Sequence, residues 1–168
     1  MRIEQTSPCL LPLPMQMETL QMFREQGIRD RVHQWYHENG YASRSALRLA
    51  PLVWDARLSS YAEWYANLRR WDCALEHSNG PYGENIFWGS GNGWMPANAA
   101  MAWVSERRWY NYWSNSCAHG KECGHYTQIV WRDTRKIGCA RVICNGGKGV
   151  FMICNYDPPG NYIGEKPY

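Results

Sequence analysis

The apolar positions of this chain run first at helical spacing and then at strand spacing. After Pro51, Asp55 stands as an N-cap ahead of Leu58, Tyr61, Ala62, Tyr65 and Leu68, the i, i+3, i+4, i+7 pattern of a helix with one buried face, expected to end near Trp71 and Asp72. An earlier helix over Val32 to Leu49 has a weaker stripe, and Gly40 interrupts it at a cost of about 1 kcal/mol relative to alanine. Pro96 opens a further helix, where its missing N–H costs nothing, and Ala99, Ala102, Trp103 and Glu106 share one face of it.

The final third changes character. Tyr126 to Trp131, Ile137 to Ile143 and Val150 to Asn155 are short segments rich in β-branched and aromatic residues, and CNGGKG between the last two reads as a hairpin turn. Between the second and third helices, EHSNGPYGENIFW (Glu76 to Trp88) and GSGNGW (Gly89 to Trp94) read as one long loop, a place where function is often carried. Helices followed by an antiparallel sheet argue for an α+β fold with helices on the sheet faces. Residues 1–28 read as an irregular extension ahead of one folded domain over 29–168, and residues 158–168 as a tail too rich in Pro and Gly for either element.

Composition narrows the partners. A net charge of +3 without a long basic run disfavours a nucleic-acid partner, and no apolar run reaches the 18 residues of a membrane span. Ten Trp and eleven Tyr against three Phe favour surfaces where a ring is buried and its polar tip finds a partner, leaving sugar, sterol and peptide surfaces open. Of seven cysteines, Cys73, Cys117, Cys123, Cys139, Cys144 and Cys154 lie in the later part of the chain without any C-x-x-C knuckle. They read as three disulfides, hence an oxidising, extracellular compartment, with the pairing open and Cys9 left over. The start MRIEQTSPCLLPLPMQMETL, with Glu4 and three prolines, does not read as a signal peptide.

Four pieces together resemble one family: HSNGPYGENIFWGSG, AWVSERRWYNY, CGHYTQIVW with IGCARVIC, and CNYDPPGNYIGEKPY. They resemble plant pathogenesis-related protein 1, of the CAP superfamily that also holds cysteine-rich secretory proteins and antigen 5. The resemblance implies a disulfide-stapled, three-layer α-β-α sandwich with an antiparallel central sheet, secreted, monomeric and active in antifungal defence. It also implies the bridges Cys73–Cys144, Cys117–Cys123 and Cys139–Cys154, and a cavity lined by His77, Glu84, Glu106 and His125. One departure concerns the first helix: Gly40 and Tyr41 stand where the family carries a His-Asn pair, although Arg44 is kept.

Two imidazoles and two carboxylates suit a zinc-like ion, with His77 and His125 as ligands and Glu84 or Glu106 as third ligand or as base for a bound water. Catalytic zinc sites generally take three protein ligands plus water, and no H-E-x-x-H occurs, so a weak zinc-dependent hydrolase is the alternative reading and no cofactor is required in the favoured one. Such clusters are also stable as networks bonded to one another. The resemblance implies instead a sterol or other apolar ligand, for which Tyr82, Phe87, Trp88 and Trp94 are the expected ligand loop, opening on its glycines. Pathogen and cell-wall surfaces are further expected partners. It also implies release of a C-terminal signalling peptide by a cut between Asp157 and Pro158, in a tail that reads as extended and protease-accessible. His119 and Glu122 read as exposed, and His33 with His37 as surface residues at i and i+4.

Overall fold

The computed structural model describes residues 42–168, together with Gly27, a helical residue inside the stretch expected to be irregular. The rest of the 1–28 extension, Cys9, His33, His37, Gly40, Tyr41 and most of the Val32 to Leu49 helix lie outside the described residues. Residues 42–46 are helical and are called α1. There follow β1 (Val53–Trp54), α2 (Ala56–Arg69), β2 (Gly83–Gly89), α3 (Pro96–Ser105), a 3-10 turn (Glu106–Trp109), β3 (Tyr110–Asn111), β4 (Ser116–Cys117), α4 (Gly124–Ile129), β5 (Lys136–Ile143) and β6 (Val150–Asp157).

The main sheet has four strands in the order β1-β5-β6-β2. β6 pairs antiparallel with both β5 and β2, whereas β1, a two-residue edge strand, pairs parallel with β5. Alternation along β5 and β6 divides the core into two layers. Ala140, Val142, Phe151 and Ile153 face Ala62, Tyr65 and Ala66 of α2. Ile137, Cys139, Val150, Met152 and Tyr156 face Ala99 and Trp103 of α3 and Tyr126 and Ile129 of α4. The fold is thus an α-β-α sandwich, stapled by Cys73–Cys144, Cys117–Cys123 and Cys139–Cys154.

Asp55 caps α2 as expected, its carboxylate accepting from the backbone N–H of Arg57 and Leu58. The buried face of α2 is Leu58, Ser59, Ala62, Tyr65 and Ala66, while Leu68 is exposed, and the start of α2 lies close against the sheet where β5 offers Gly138. A Cβ on Gly138 would meet the backbone of Leu58 and Ser59. On α3 the buried residues are Ala99, Ala100 and Trp103, and Ala102 is exposed.

Two expected elements differ. Gly83–Gly89, read as loop, is the edge strand β2, and it pairs with β6 along its whole length, Glu84 opposite Asn155. Tyr126 to Trp131, read as a strand, instead supplies most of α4. Its buried Tyr126, Ile129 and Val130 stand at i, i+3 and i+4, a helical spacing that β-branched composition obscures. Arg44, kept beside the altered start of the first helix, is fully buried and donates to the carbonyls of Ala50, Ile129, Trp131 and Thr134. It ties the chain ahead of β1 to the exit of α4.

Candidate functional site

β2 carries the middle of the site. Its alternation sets Glu84 and Ile86 toward α2 and Asn85 and Phe87 toward α3 and α4. Glu84 is nearly buried, and its two oxygens take four donors. Oε1 accepts from His77 Nδ1 at 2.8 Å and Ser78 N at 2.9 Å; Oε2 accepts from Ser78 Oγ at 2.6 Å and Asn155 Nδ2 at 3.1 Å. The hydrogen bond to Glu84 holds the half-exposed His77 above its ordinary pKa against the opposing effect of burial. Burial would raise the Glu84 carboxyl, but its bonds to His77, Ser78 and Asn155 outweigh that and lower it.

The second pair lies on the other side of β2. Glu106 follows α3 directly, and its Oε1 accepts from His125 Nδ1 at 2.6 Å. Its Oε2 accepts from the backbone N–H of His125 and Tyr126 at 3.1 and 3.2 Å. α4 has no side-chain cap of its own, so Glu106 supplies one from a distant part of the chain. The His125 ring stacks on Trp103, centroids 5.9 Å apart, and the Trp103 N–H is held by the carbonyl of Ile86. Asn85, on the same side of β2, donates to the carbonyl of His125 and to the hydroxyl of Tyr156.

The four expected residues form two carboxylate–imidazole pairs, His77 with Glu84 and His125 with Glu106. Both histidines spend Nδ1 on a carboxylate, leaving Nε2 as the nitrogen for a ligand, the orientation seen around metal-bound histidines. Among the described residues no group of three or more His, Cys, Asp or Glu side chains is placed to hold a metal ion. Each pair thus offers one imidazole nitrogen, fewer than the three protein ligands of a catalytic zinc centre. Ser78, Asn85, Asn155 and Trp103 carry no mark of this role in the sequence; Ser78 adjoins His77, but Asn155 faces Glu84 only through the β2–β6 register.

The four residues of the expected ligand loop have these neighbours. Tyr82 packs edge-on against Tyr61 at a centroid distance of 5.1 Å, and Phe87 packs at a tilt against Trp94 at 5.3 Å. Arg141 holds residues 90–95 by donating to the carbonyls of Asn92 and Trp94. Trp88 is 42 % exposed, its N–H donated to the carbonyl of Lys148, and it borders an open groove of about 530 Å³ with Asp72, Cys73, Leu75 and Lys148. His119 and Glu122 are exposed. Asp157 ends β6, and residues 158–168 lie against the protein at several points instead of extending freely.

The profile described as CAP, the cysteine-rich secretory protein family, matches residues 41–156. A Toc75-like second POTRA domain profile matches residues 1–53, under a third of the chain and mostly outside the described residues. Pathogenesis-related protein PR-1 of Medicago truncatula is 68% identical over 126 residues, 75% of this chain and 73% of that one. Pathogenesis-related protein PRMS of Zea mays is 53% identical over 146 residues, 82% of this chain and 87% of that one. Among solved structures, the crystal structure of NaASP2 with Zn2+ is similar at 25% identity and a TM-score of 0.65, covering 82% of this chain and 85% of that one.

Proposed function

Since this chain belongs to the cysteine-rich secretory protein (CAP) family, among the plant pathogenesis-related 1 proteins, we propose that it acts in defence outside the cell by binding a sterol or similar apolar ligand. The observation that carries the ligand reading is the open groove of about 530 Å³ beside β2, with Trp88 and Leu75 as apolar walls and Asp72 and Lys148 at its polar rim. Its size falls in the range of small-molecule sites, which join apolar walls to a few polar groups. Three disulfides support an oxidising, extracellular setting. The test is sterol binding by the full chain, by Trp88→Ala and by the double variant His77→Ala/His125→Ala. Loss in Trp88→Ala with retention in the histidine variant is expected, and equal binding by all three overturns the groove as the site.

The same reading includes release of the segment that begins at Pro158. The absence of any disulfide beyond Cys154 supports it, since a cut after Asp157 spares all three bridges. Incubation with extracellular plant fluid followed by mass spectrometry should give a fragment starting at Pro158, and an intact junction counts against it.

A second reading rests on the two Nδ1–carboxylate pairs. His77 and His125 take a zinc-type ion through Nε2, with Glu84 and Glu106 orienting the rings and water completing the shell. The similar NaASP2 crystal structure is one with Zn2+, which supports testing this ion first. Both oxygens of each carboxylate are engaged by donors, so neither glutamate stands ready as a general base, and hydrolysis is not part of the reading. Calorimetric zinc titration should show binding that His77→Ala/His125→Ala abolishes; heat that persists in the double variant sinks it.

A further inference from the structure

Residues 158–168 are bonded to the rest of the protein along most of their length. At the start, Thr134 Oγ1 donates to the carbonyl of Pro158, and the N–H of Gly160 donates to Gln128 Oε1 at 3.0 Å. Asn161 grips the first turn of α4 in both directions, donating to the carbonyl of Gly124 and accepting from Thr127 Oγ1 at 2.7 Å. Further on, Asn115 donates to the carbonyl of Glu165, and the N–H of Arg132 donates to the carbonyl of Pro167 at 2.6 Å. Tyr168 stacks flat on Tyr112, centroids 4.9 Å apart and planes 11° apart, and hydrogen-bonds with the Tyr126 side chain. Between these ends the seal is open: Ile163 is wholly exposed, and a cavity of about 280 Å³ lies between Asn115, Thr127, Asn161 and Glu165.

None of these contacts depends on the peptide bond ahead of Pro158, and no disulfide reaches the segment. Hydrolysis there by an endopeptidase adds water across one amide, leaving a carboxylate on Asp157 and a secondary ammonium on Pro158. Everything that holds the segment against α4, Arg132 and Tyr112 is left in place. We propose that residues 158–168 are a docked peptide which this groove retains after the chain is cut, so that scission and release are separate events and undocking of Asn161 and Tyr168 governs the second. The inference rests on the release reading above for its biological use, but its physical content is the affinity of the groove for a peptide carrying Asn and a terminal-side Pro-Tyr pair. Flat aromatic stacking and paired side-chain bonds resist separation most where both ends of a segment are held at once.

The experiment uses the full chain with a site-specific protease sequence inserted between Asp157 and Pro158. After complete cutting, verified under denaturing conditions, gel filtration should carry the fragment with the body of the protein. Tyr168→Ala and Asn161→Ala in the same background should each speed its loss about tenfold or more. Separation of the unsubstituted fragment in the first pass overturns the proposal. The insertion is checked by amide hydrogen exchange on the unmodified chain, where the N–H of Gly160 should be protected; rapid exchange there overturns docking outright. A synthetic peptide of residues 158–168 should also exchange into the cut protein, and failure of a tenfold excess to displace labelled fragment at any rate would contradict a reversible groove. If extracellular fluid never cuts the natural junction, the release reading fails while the retention result stands by itself.

Discussion

Replacing Glu106 by glutamine separates the structural from the chemical role of the second pair. The carboxylate accepts three donors, the backbone N–H of His125 and Tyr126 at one oxygen and His125 Nδ1 at the other. Backbone donors cannot reverse, so the glutamine carbonyl must take their place and its NH2 must face Nδ1. The imidazole can answer by moving its proton to Nε2, turning Nδ1 into an acceptor. Every bond then survives and only charge assistance is lost, along with the favourable carboxylate at the start of α4; this amounts to about 1 to 3 kcal/mol. Glu106→Ala removes both acceptor oxygens and all three bonds and should cost more, about 3 to 5 kcal/mol, by stranding the two N–H groups that open α4. Urea denaturation gives the two losses, and nitrogen NMR of the ring gives the proton position at a pH where the imidazole is neutral. The expected glutamine variant is folded with Nε2 protonated. Equal destabilisation by Gln and Ala, or an unprotonated Nε2 in the Gln variant, refutes the argument.

Four further outcomes follow from the same geometry. Arg44→Met takes the guanidinium donors from four carbonyls and leaves those of Ala50 and Ile129 most exposed to the loss, and urea denaturation should show a loss of about 3 kcal/mol or more. Gly138→Ala drives a methyl group into the backbone of α2 and should lower the thermal midpoint far more than Gly93→Ala, which meets open space. For His77 and Glu84 the pH dependence has a definite sign. The raised imidazole contributes stability below its ordinary 6.5 that is lost as pH rises through the folded value, and the lowered carboxyl contributes above its ordinary 4.5, lost as pH falls through its own. The stability gap between the natural chain and Glu84→Gln should therefore be widest between those two values and narrow on either side; a gap independent of pH contradicts the pairing. Among the bridges, sequence separations of 71, 15 and 6 residues rank the losses on double Cys→Ser replacement as about 4, 3 and 2 kcal/mol for Cys73–Cys144, Cys139–Cys154 and Cys117–Cys123. A reversed order in denaturation midpoints would refute loop closure as the dominant cause.

What the sequence disclosed was set by how local each signal is. Asp55 and the spacing of Leu58, Ala62 and Tyr65 specify α2 within a few turns, and CNGGKG specifies the β5–β6 hairpin, so both were readable. α4 was not, because the group that caps it is Glu106, nineteen residues before His125, and no local residue marks its start. β2 was hidden for a similar reason. Its Gly, Glu and Asn read as loop residues until β6 places Asn155 beside Glu84 and Tyr156 within reach of Asn85.

The same distinction explains the site. The residue types at His77, Glu84, Glu106 and His125 stood out by motif resemblance, but their division into two pairs did not, since it depends on Glu84 standing in β2 beside the loop of His77 and on Glu106, after α3, meeting the start of α4. That division limits the chemistry. A carboxylate already accepting from an imidazole, a hydroxyl and an amide is an orienting group, and freeing it to act as a base would require breaking bonds that also fix the loop at Ser78 or the start of α4. Function and fold are thus coupled at both glutamates. A variant that gained hydrolysis by releasing Glu84 or Glu106 would be expected to lose stability in the same step, whereas Trp88 and Leu75 at the groove can be altered with little effect on either pair. The apolar-ligand and metal readings are accordingly separable by substitution, because they draw on side chains that share β2 and no hydrogen bond.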